Sequence, residues 1–372
     1  MAEITAAMVK ELRERTQAGM MECKKALVEA GGDLLAAAEL LQKKGAIKAG
    51  AIAGKKVAAD GAIGCAVSSD GTRGALVELN CQTDFVARGE DFQQLLKLAT
   101  ATALAEGLAT AEALNAAVPA DGGPSLGERA AQLTARSGEK HELRRVAYRA
   151  SQGVVKGYVH TGARIGVLVD VTSQDAKNEK VQALADDLTL QVASMKPLFQ
   201  QRGDVPQDTI ARQREILAAQ MVQEDEAAMK EPEAYFARVR QVVVERAQDE
   251  GRDPGDDAAV EAEARRLVTE DGKFKDSLLG FQREAEKVRS RPAAVREKIL
   301  DGKVAKWLNE VVLLDQVSIK ESKKTVGKLL AEVGVPGTHL AGYVRFEVGE
   351  GVEKAATKDF ATEVAEMAAQ AR

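Results

Sequence analysis

Aromatic residues make up only 3% of this 372-residue chain, with a single Trp, too few to lay out the stacking platforms that hold single-stranded nucleic acids. Cations do not dominate either. The 52 Lys+Arg stand against 57 Asp+Glu, a formal net charge of -5, which disfavours an affinity built on covering a phosphate backbone with positive charge. Direct nucleic-acid binding is therefore not expected. The three cysteines, Cys23, Cys65 and Cys81, include no CxxC pair, and an odd number fits reduced thiols acting as small buried hydrophobes. The three histidines, His141, His160 and His339, lie too far apart to show metal-ligand spacing or a catalytic dyad. No metal and no other cofactor is expected.

Other absences narrow the class further. No apolar run approaches the ~20 residues that cross a bilayer, and the opening MAEITAAMVKELRER reads as a charged helix rather than an export signal. A cytoplasmic protein without a membrane partner is the expectation. Neither GxSxG nor HExxH occurs, and no GxGxxG follows a strand. The run Gly50 to Lys56 imitates a phosphate-binding loop, but it is one residue short between its glycines and lacks the Ser or Thr that would hold magnesium. The chain is not expected to be an enzyme. With 45% hydrophobic and 29% charged residues it has the make-up of an ordinary globular protein, long enough for two or three compact units.

Residues 1–54 read as three short helices. Ile4, Met8, Leu12 and Arg15 share one helical face after a capping Thr5; Met20, Met21, Cys23, Ala26 and Leu27 supply the second, stopped by Gly31 and Gly32. Asp33 caps a third, whose Leu34, Leu35, Ala38, Leu41 stripe ends at Gly45. Such a module, of the ubiquitin-associated type, is a docking unit too small for catalysis. One of the two methionines is expected to fill its core and the other to face out, framed by Lys10 and Arg13. The small basic stretch from Ala46 to Ala58 suits a linker or a basic helix.

From Asp60 the period changes to two. Ala62 to Val67, a Ser68–Gly71 turn and Gly74 to Leu79 form a hairpin, followed by Asn80 to Arg88 and a long Ala- and Leu-rich helix to about Ala105. The same grammar returns with Gly153 to His160, a turn at Thr161–Ala163, Arg164 to Val171 and a helix from Lys177 to Met195, while Leu340 to Val348 repeats the strand pattern once more. The segment 208–314 is helix-prone and charged, with a polar break from Asp249 to Asp256. An α+β fold is expected: the three-helix module, a two-part core of antiparallel strands with helices (55–145 and 146–207), a long helical hairpin protrusion (208–314), and a short C-terminal module within 315–372.

Leu12-Arg-Glu-Arg-Thr-Gln-Ala-Gly-Met-Met-Glu-Cys-Lys-Lys-Ala-Leu27 and Asn80-Cys-Gln-Thr-Asp-Phe-Val86 closely resemble the elongation factor Ts family, the guanine-nucleotide exchange factors of elongation factor Tu. His160 to Gly166, Pro197, Lys306 to Glu310 and Arg345 to Gly351 also fit that family's pattern. The resemblance implies that the segment Thr83, Asp84, Phe85, Val86 reaches the partner's G domain, where Phe85 wedges in near the bound magnesium and phosphates and promotes GDP release. It implies that the N-terminal module contacts a helix of that domain through Lys10, Arg13, Met20 and Met21, and that His160 touches another domain of the same partner. The residues alone leave two roles open for Phe85, a partner anchor or a plug in the chain's own core; the resemblance favours the first.

The sequence departs from the family at Gln17, where glycine is usual, and at Glu22, where aspartate is. A larger departure is an insertion at about 222–293 in the helical protrusion, whose Phe236, Val239, Val243, Leu267, Leu278 and Phe281 have the spacing of a seam of their own. A homodimer through this protrusion or through the core is one expectation to test. The rival reading is an adaptor that docks partners through its N-terminal helices without exchange activity; an RNA-binding factor rests only on the basic stretch Lys43 to Lys56.

Overall fold

The computed structural model of the chain describes residues 4–16, 18–53 and 57–352. The chain divides into two compact units, one of residues up to Gln200 together with those from Gln316 onward, the other spanning Gln201–Asp315. Helices α1 (Ala6–Thr16), α2 (Met20–Glu29) and α3 (Leu34–Ala53) begin the first unit. Thr5 accepts from the Met8 amide at 3.3 Å, and Asp33 accepts from the amides of Leu35 and Ala36 at 2.8 and 3.1 Å, so each side chain satisfies donors that a helix start leaves free. Val9, Leu12, Cys23, Ala26, Leu27 and Ala37 form their small shared core. The third helix does not stop at Gly45 as the stripe suggested. It runs on to Ala53, through a stretch whose Ala46, Ala49 and Ala51 are strong helix formers and offset the cost of its glycines.

Two three-stranded antiparallel sheets follow. The first has the order β1 (Asp60–Val67), β2 (Arg73–Cys81), β3, with α4 (Asp84–Ala87), α5 (Glu90–Glu106), α6 (Ala111–Ala116) and α7 (Leu126–Ser137) lying between β2 and β3 (Glu142–Ala150) in the chain. Phe92, Leu95, Leu96 and Ala99 of α5 pack with Leu114, Leu126 and Leu143 as its core. The strand β3 is absent from the period-two reading, and its register explains why. Glu78 pairs with Arg145 but Leu79 pairs with Leu143, so Arg144 is an extra residue in a bulge. Such an insertion breaks the alternation of inward and outward side chains.

The second sheet contains β4 (Val154–Val159) and β5 (Ile165–Thr172), covered by α8 (Glu179–Met195), whose Val181, Leu184, Ala185, Leu188 and Val192 are buried. Ile63 and Leu76 of the first sheet meet Val155 and Leu168 of the second in one cluster. The two sheets approach closely where glycine leaves room: a Cβ on Gly166 would fall 2.4 Å from Ile63 Cγ2, and one on Gly157 would fall 2.4 Å from the Cys65 sulfur.

The second unit is helical. It holds α9 (Gln207–Asp249), α10 (Asp257–Glu270), α11 (Gly272–Arg289) and α12 (Ala293–Val311); α10 and α11 are divided where Asp271 caps α11 by accepting from Lys273 N at 3.1 Å. Asp225 and Arg291 form a mostly buried ion pair at 2.8 Å near the root of the extension. Beyond it Val239, Val243, Val260, Ala264, Leu267 and Val268 form a separate core against which Phe236 and Leu278 pack; Phe281 stacks at a tilt on Tyr235 with ring centroids 5.1 Å apart. Pro232 lies inside α9 between root and outer core, leaving the Ala228 carbonyl without its helical N–H donor.

The chain then returns to the first unit. Helix α13 (Val326–Glu332) precedes β6 (His339–Glu347), which adds to β5 and gives the second sheet the order β4-β5-β6. Antiparallel sheets with helices packed beside them make the fold mixed helix and sheet, compatible with α+β. Among the described residues no helix is long and apolar enough to cross a membrane. Of the C-terminal module expected within 315–372, residues 353–372 lie outside the described residues, as do the departure at Gln17 and the end of the basic stretch at 54–56.

Candidate functional site

The short helix α4 is built from the sequence Thr-Asp-Phe-Val-Ala directly after the buried end of β2. Thr83 is its N-cap, accepting from the Val86 amide at 3.4 Å, while Asp84 pairs with Arg88 at 2.7 Å across one turn. Asp84 thus braces its own loop. Val86 and the buried Ala87 turn inward against the core cluster of the first sheet. Phe85 turns outward and stands 83% exposed. It does not plug the chain's own core, and that reading of the residue is withdrawn.

Every polar group of Thr83 is engaged. Its amide donates to Glu139 Oε2 at 3.2 Å and its hydroxyl donates to Glu139 Oε1 at 3.0 Å. Its carbonyl accepts from the Cys81 thiol at 3.1 Å and from the Ala87 amide at 3.2 Å. Burial, reinforced by the Glu139 charge, pushes the Cys81 thiol up to about 12, so it stays protonated and remains a donor. At the far end of the loop Gln93 Nε2 donates to the Ala87 carbonyl at 2.6 Å.

Glu139 lies in the short connection from α7 to β3, where its carbonyl meets His141 Nδ1 at 2.9 Å. The His141 ring is buried beside Phe92, and burial lowers its pKa. The Cys81–Thr83 contact is local in sequence, whereas Glu139 is 56 residues from Thr83. No local pattern in Ser-Gly-Glu-Lys-His announces that contact, and sequence reasoning missed it.

His160 sits at the start of the turn between β4 and β5. Its Nδ1 meets the Tyr158 hydroxyl at 2.8 Å, its amide donates to the Ile165 carbonyl and its carbonyl accepts from the Ala163 amide, both at 2.9 Å. The turn is tied to β1 by Ile63 N donating to the Ala163 carbonyl at 2.8 Å and by Arg164 pairing with Asp60 at 2.5 Å. Ala163 and Val86 pack against the same core cluster. The structure therefore seats the loop of Phe85 and the turn of His160 on one support.

The N-terminal residues stand apart on their own small core. Both Met20 and Met21 are exposed, at 57% and 64%, a correction to the expectation that one of them is core filler. The inward face of α2 is already occupied by Cys23, Ala26 and Leu27, which leaves adjacent Met20 and Met21 on the outer side of its first turn. Lys10 is paired loosely with Glu14 at 3.8 Å. Arg13 lines a cleft of about 1070 Å³ whose other walls include Glu22, Lys25, Asp91, Arg129 and Arg136; the two methionines do not line it.

The family model described as Elongation factor TS matches residues 82–350, a span that begins at the loop carrying Phe85. Among curated proteins the chain is similar to Elongation factor Ts of Acidithiobacillus ferrooxidans, 38% identical over 362 residues that cover 97% of each chain. It is likewise similar to Elongation factor Ts of Azoarcus sp., 38% identical over 371 residues, with 100% of this chain and 99% of the relative covered. For Elongation factor Ts of Clostridium botulinum the identity is 34% over 372 residues, covering 98% and 99%. With the likeness running through nearly the whole length of both partners in each comparison, the chain belongs to the elongation factor Ts family, and its work is that of a translation elongation factor.

Proposed function

We propose that this chain binds elongation factor Tu carrying GDP and promotes release of the nucleotide, with Thr83, Asp84, Phe85 and Val86 entering the G domain and Phe85 disturbing the site of the magnesium and phosphates. The observation that carries the reading is the exposure of Phe85 at 83% on a loop whose first residue has no free polar group. An aromatic ring with few rotamers, presented on a braced turn, loses little freedom on docking and gains a large apolar contact. The N-terminal helices, a docking module of the ubiquitin-associated type in this reading, add a second surface through Lys10, Arg13 and the exposed pair Met20 and Met21. His160 supplies a third, against another domain of the same partner. The exchange factor performs no covalent chemistry of its own, and its place is the cytoplasm.

Exchange follows from linkage. A factor that binds the nucleotide-free partner more tightly than the GDP-bound form weakens GDP by the same ratio. It supplies no net energy, so the relative abundance of GTP decides which nucleotide is loaded.

The test follows fluorescent GDP leaving purified elongation factor Tu as this chain is added in sub-stoichiometric amounts. The expected result is catalytic acceleration, reduced by about 30-fold in Phe85→Ala if the ring contributes about 2 kcal/mol to the release step. Binding without any acceleration would instead support an adaptor docking through α2. An unaltered release rate in a confirmed complex of the variant would remove Phe85 from the mechanism.

A further inference from the structure

We infer that Glu139 is a positioning residue for the exchange loop: its carboxylate takes both donors of Thr83 and so fixes the N-cap from which Phe85 projects. The inference rests on the exchange reading above and extends it to a residue that does not itself meet the partner. The two bonds, from Thr83 N at 3.2 Å and Thr83 Oγ1 at 3.0 Å, use a carboxylate acceptor, which makes them stronger than neutral ones. They span 56 residues and attach the loop to the connection after α7. That connection is itself held: Glu139 N donates to Ser137 Oγ at 3.1 Å, and the Glu139 carbonyl meets His141 Nδ1 at 2.9 Å.

The local cap alone is weak. Thr83 Oγ1 reaches the Val86 amide only at 3.4 Å, and a four-residue helix has too few internal bonds to stand without tertiary support. Once Glu139 is removed, the Thr83 amide and hydroxyl, both at an exposed position, turn to water at little cost to the fold. The loop then samples more conformations in the free protein, and the partner must order it during docking. The consequence falls on the release step, because the remaining contacts still bring the two proteins together.

The experiment measures GDP release from elongation factor Tu against factor concentration for the full chain, for Glu139→Ala, Glu139→Gln, Phe85→Ala and the double variant Phe85→Ala/Glu139→Ala, together with amide hydrogen exchange at Thr83 to Ala87 in the free proteins. Glu139→Ala is expected to lower the saturating rate by about fivefold to tenfold with the half-saturating concentration kept within about twofold. Its melting temperature should shift by no more than about 3 °C, and amide exchange across the loop should quicken. Glu139→Gln, which keeps one acceptor, should fall between it and the parent. In the Phe85→Ala background the Glu139 change should add almost nothing, since the residue acts through the ring.

A Glu139→Ala protein that matches the parent in rate, while Phe85→Ala is slow, overturns the inference and leaves the exchange reading standing. A full additive loss in the double variant also overturns it, because Glu139 then works independently of Phe85. If the parent itself fails to accelerate release, the exchange reading falls and the inference falls with it.

Discussion

A ring that stands 83% exposed has little apolar area left to lose, so truncating Phe85 removes almost no burial from the fold. The melting temperature of Phe85→Ala is therefore expected to stay within about 2 °C of the parent by calorimetry; a larger fall would reveal a packing role. His141 makes the opposite case. Burial holds its pKa below the usual histidine value, so the folded state binds fewer protons than the unfolded chain as pH falls. The stability tied to the neutral ring is complete above about pH 6.5, the unfolded value, and is lost as pH falls towards the lower folded one. Urea midpoints at pH 7.5 and 5.5 should accordingly separate more for the parent than for His141→Gln. Equal separations would show that another group carries the pH dependence. Of these residues the sequence singled out Phe85 through the family motif and left its two roles open; Glu139 was beyond reach because a tertiary contact across 56 residues leaves no periodic mark.

Strands and helices were legible where apolar runs were bounded by turn residues or repeated at helical spacing. The hairpins β1–β2 and β4–β5 are such runs joined by glycine-bearing loops, although β2 and β5 are buried almost continuously rather than on alternate residues, and the spacing of Val239, Val243 and Leu267 foretold the outer core of the helical unit. The third strand was hidden by its bulge, and that bulge has a purpose in the packing. It lets consecutive Arg144 and Arg145 both reach the fully buried Glu78 on β2, while Gly349 N donates to the same carboxylate at 2.9 Å. Arg145 also lies over the Phe346 ring, 4.4 Å from its centre. Glu78→Ala leaves two guanidinium groups without their shared counter-charge and is expected to cost about 3 kcal/mol, with an enlarged loss if the arginines cannot turn to water. Denaturant unfolding checks this, and a change below about 1 kcal/mol would show the cluster to be dispensable. Within the helical unit, where the insertion begins and ends, Asp225→Ala strands the mostly buried Arg291 in the same way, and a comparable fall is expected in its unfolding midpoint.

At the scale of the whole molecule, the helical unit keeps its apolar seam to itself. Val243, Val260, Ala264 and Leu267 face one another within one chain, while the outer sides of α10 and α11 carry short-range pairs such as Arg265–Glu261, Arg266–Glu263 and Arg289–Glu286. Such surfaces are solvated rather than adhesive. The full chain and a version lacking 225–291 are thus expected to show the same number of protomers by size exclusion with light scattering. A dimer that dissolves on removal of those residues would assign association to the extension.

The order of strands in the second sheet has a further bearing on how the protein is made. Its central strand, β5, waits for β6, and the whole of Gln201–Asp315 is synthesised between them. On the ribosome one edge of β5 must therefore stay unmatched while the whole helical unit is made, and the strand that finally closes it follows only after that unit and α13.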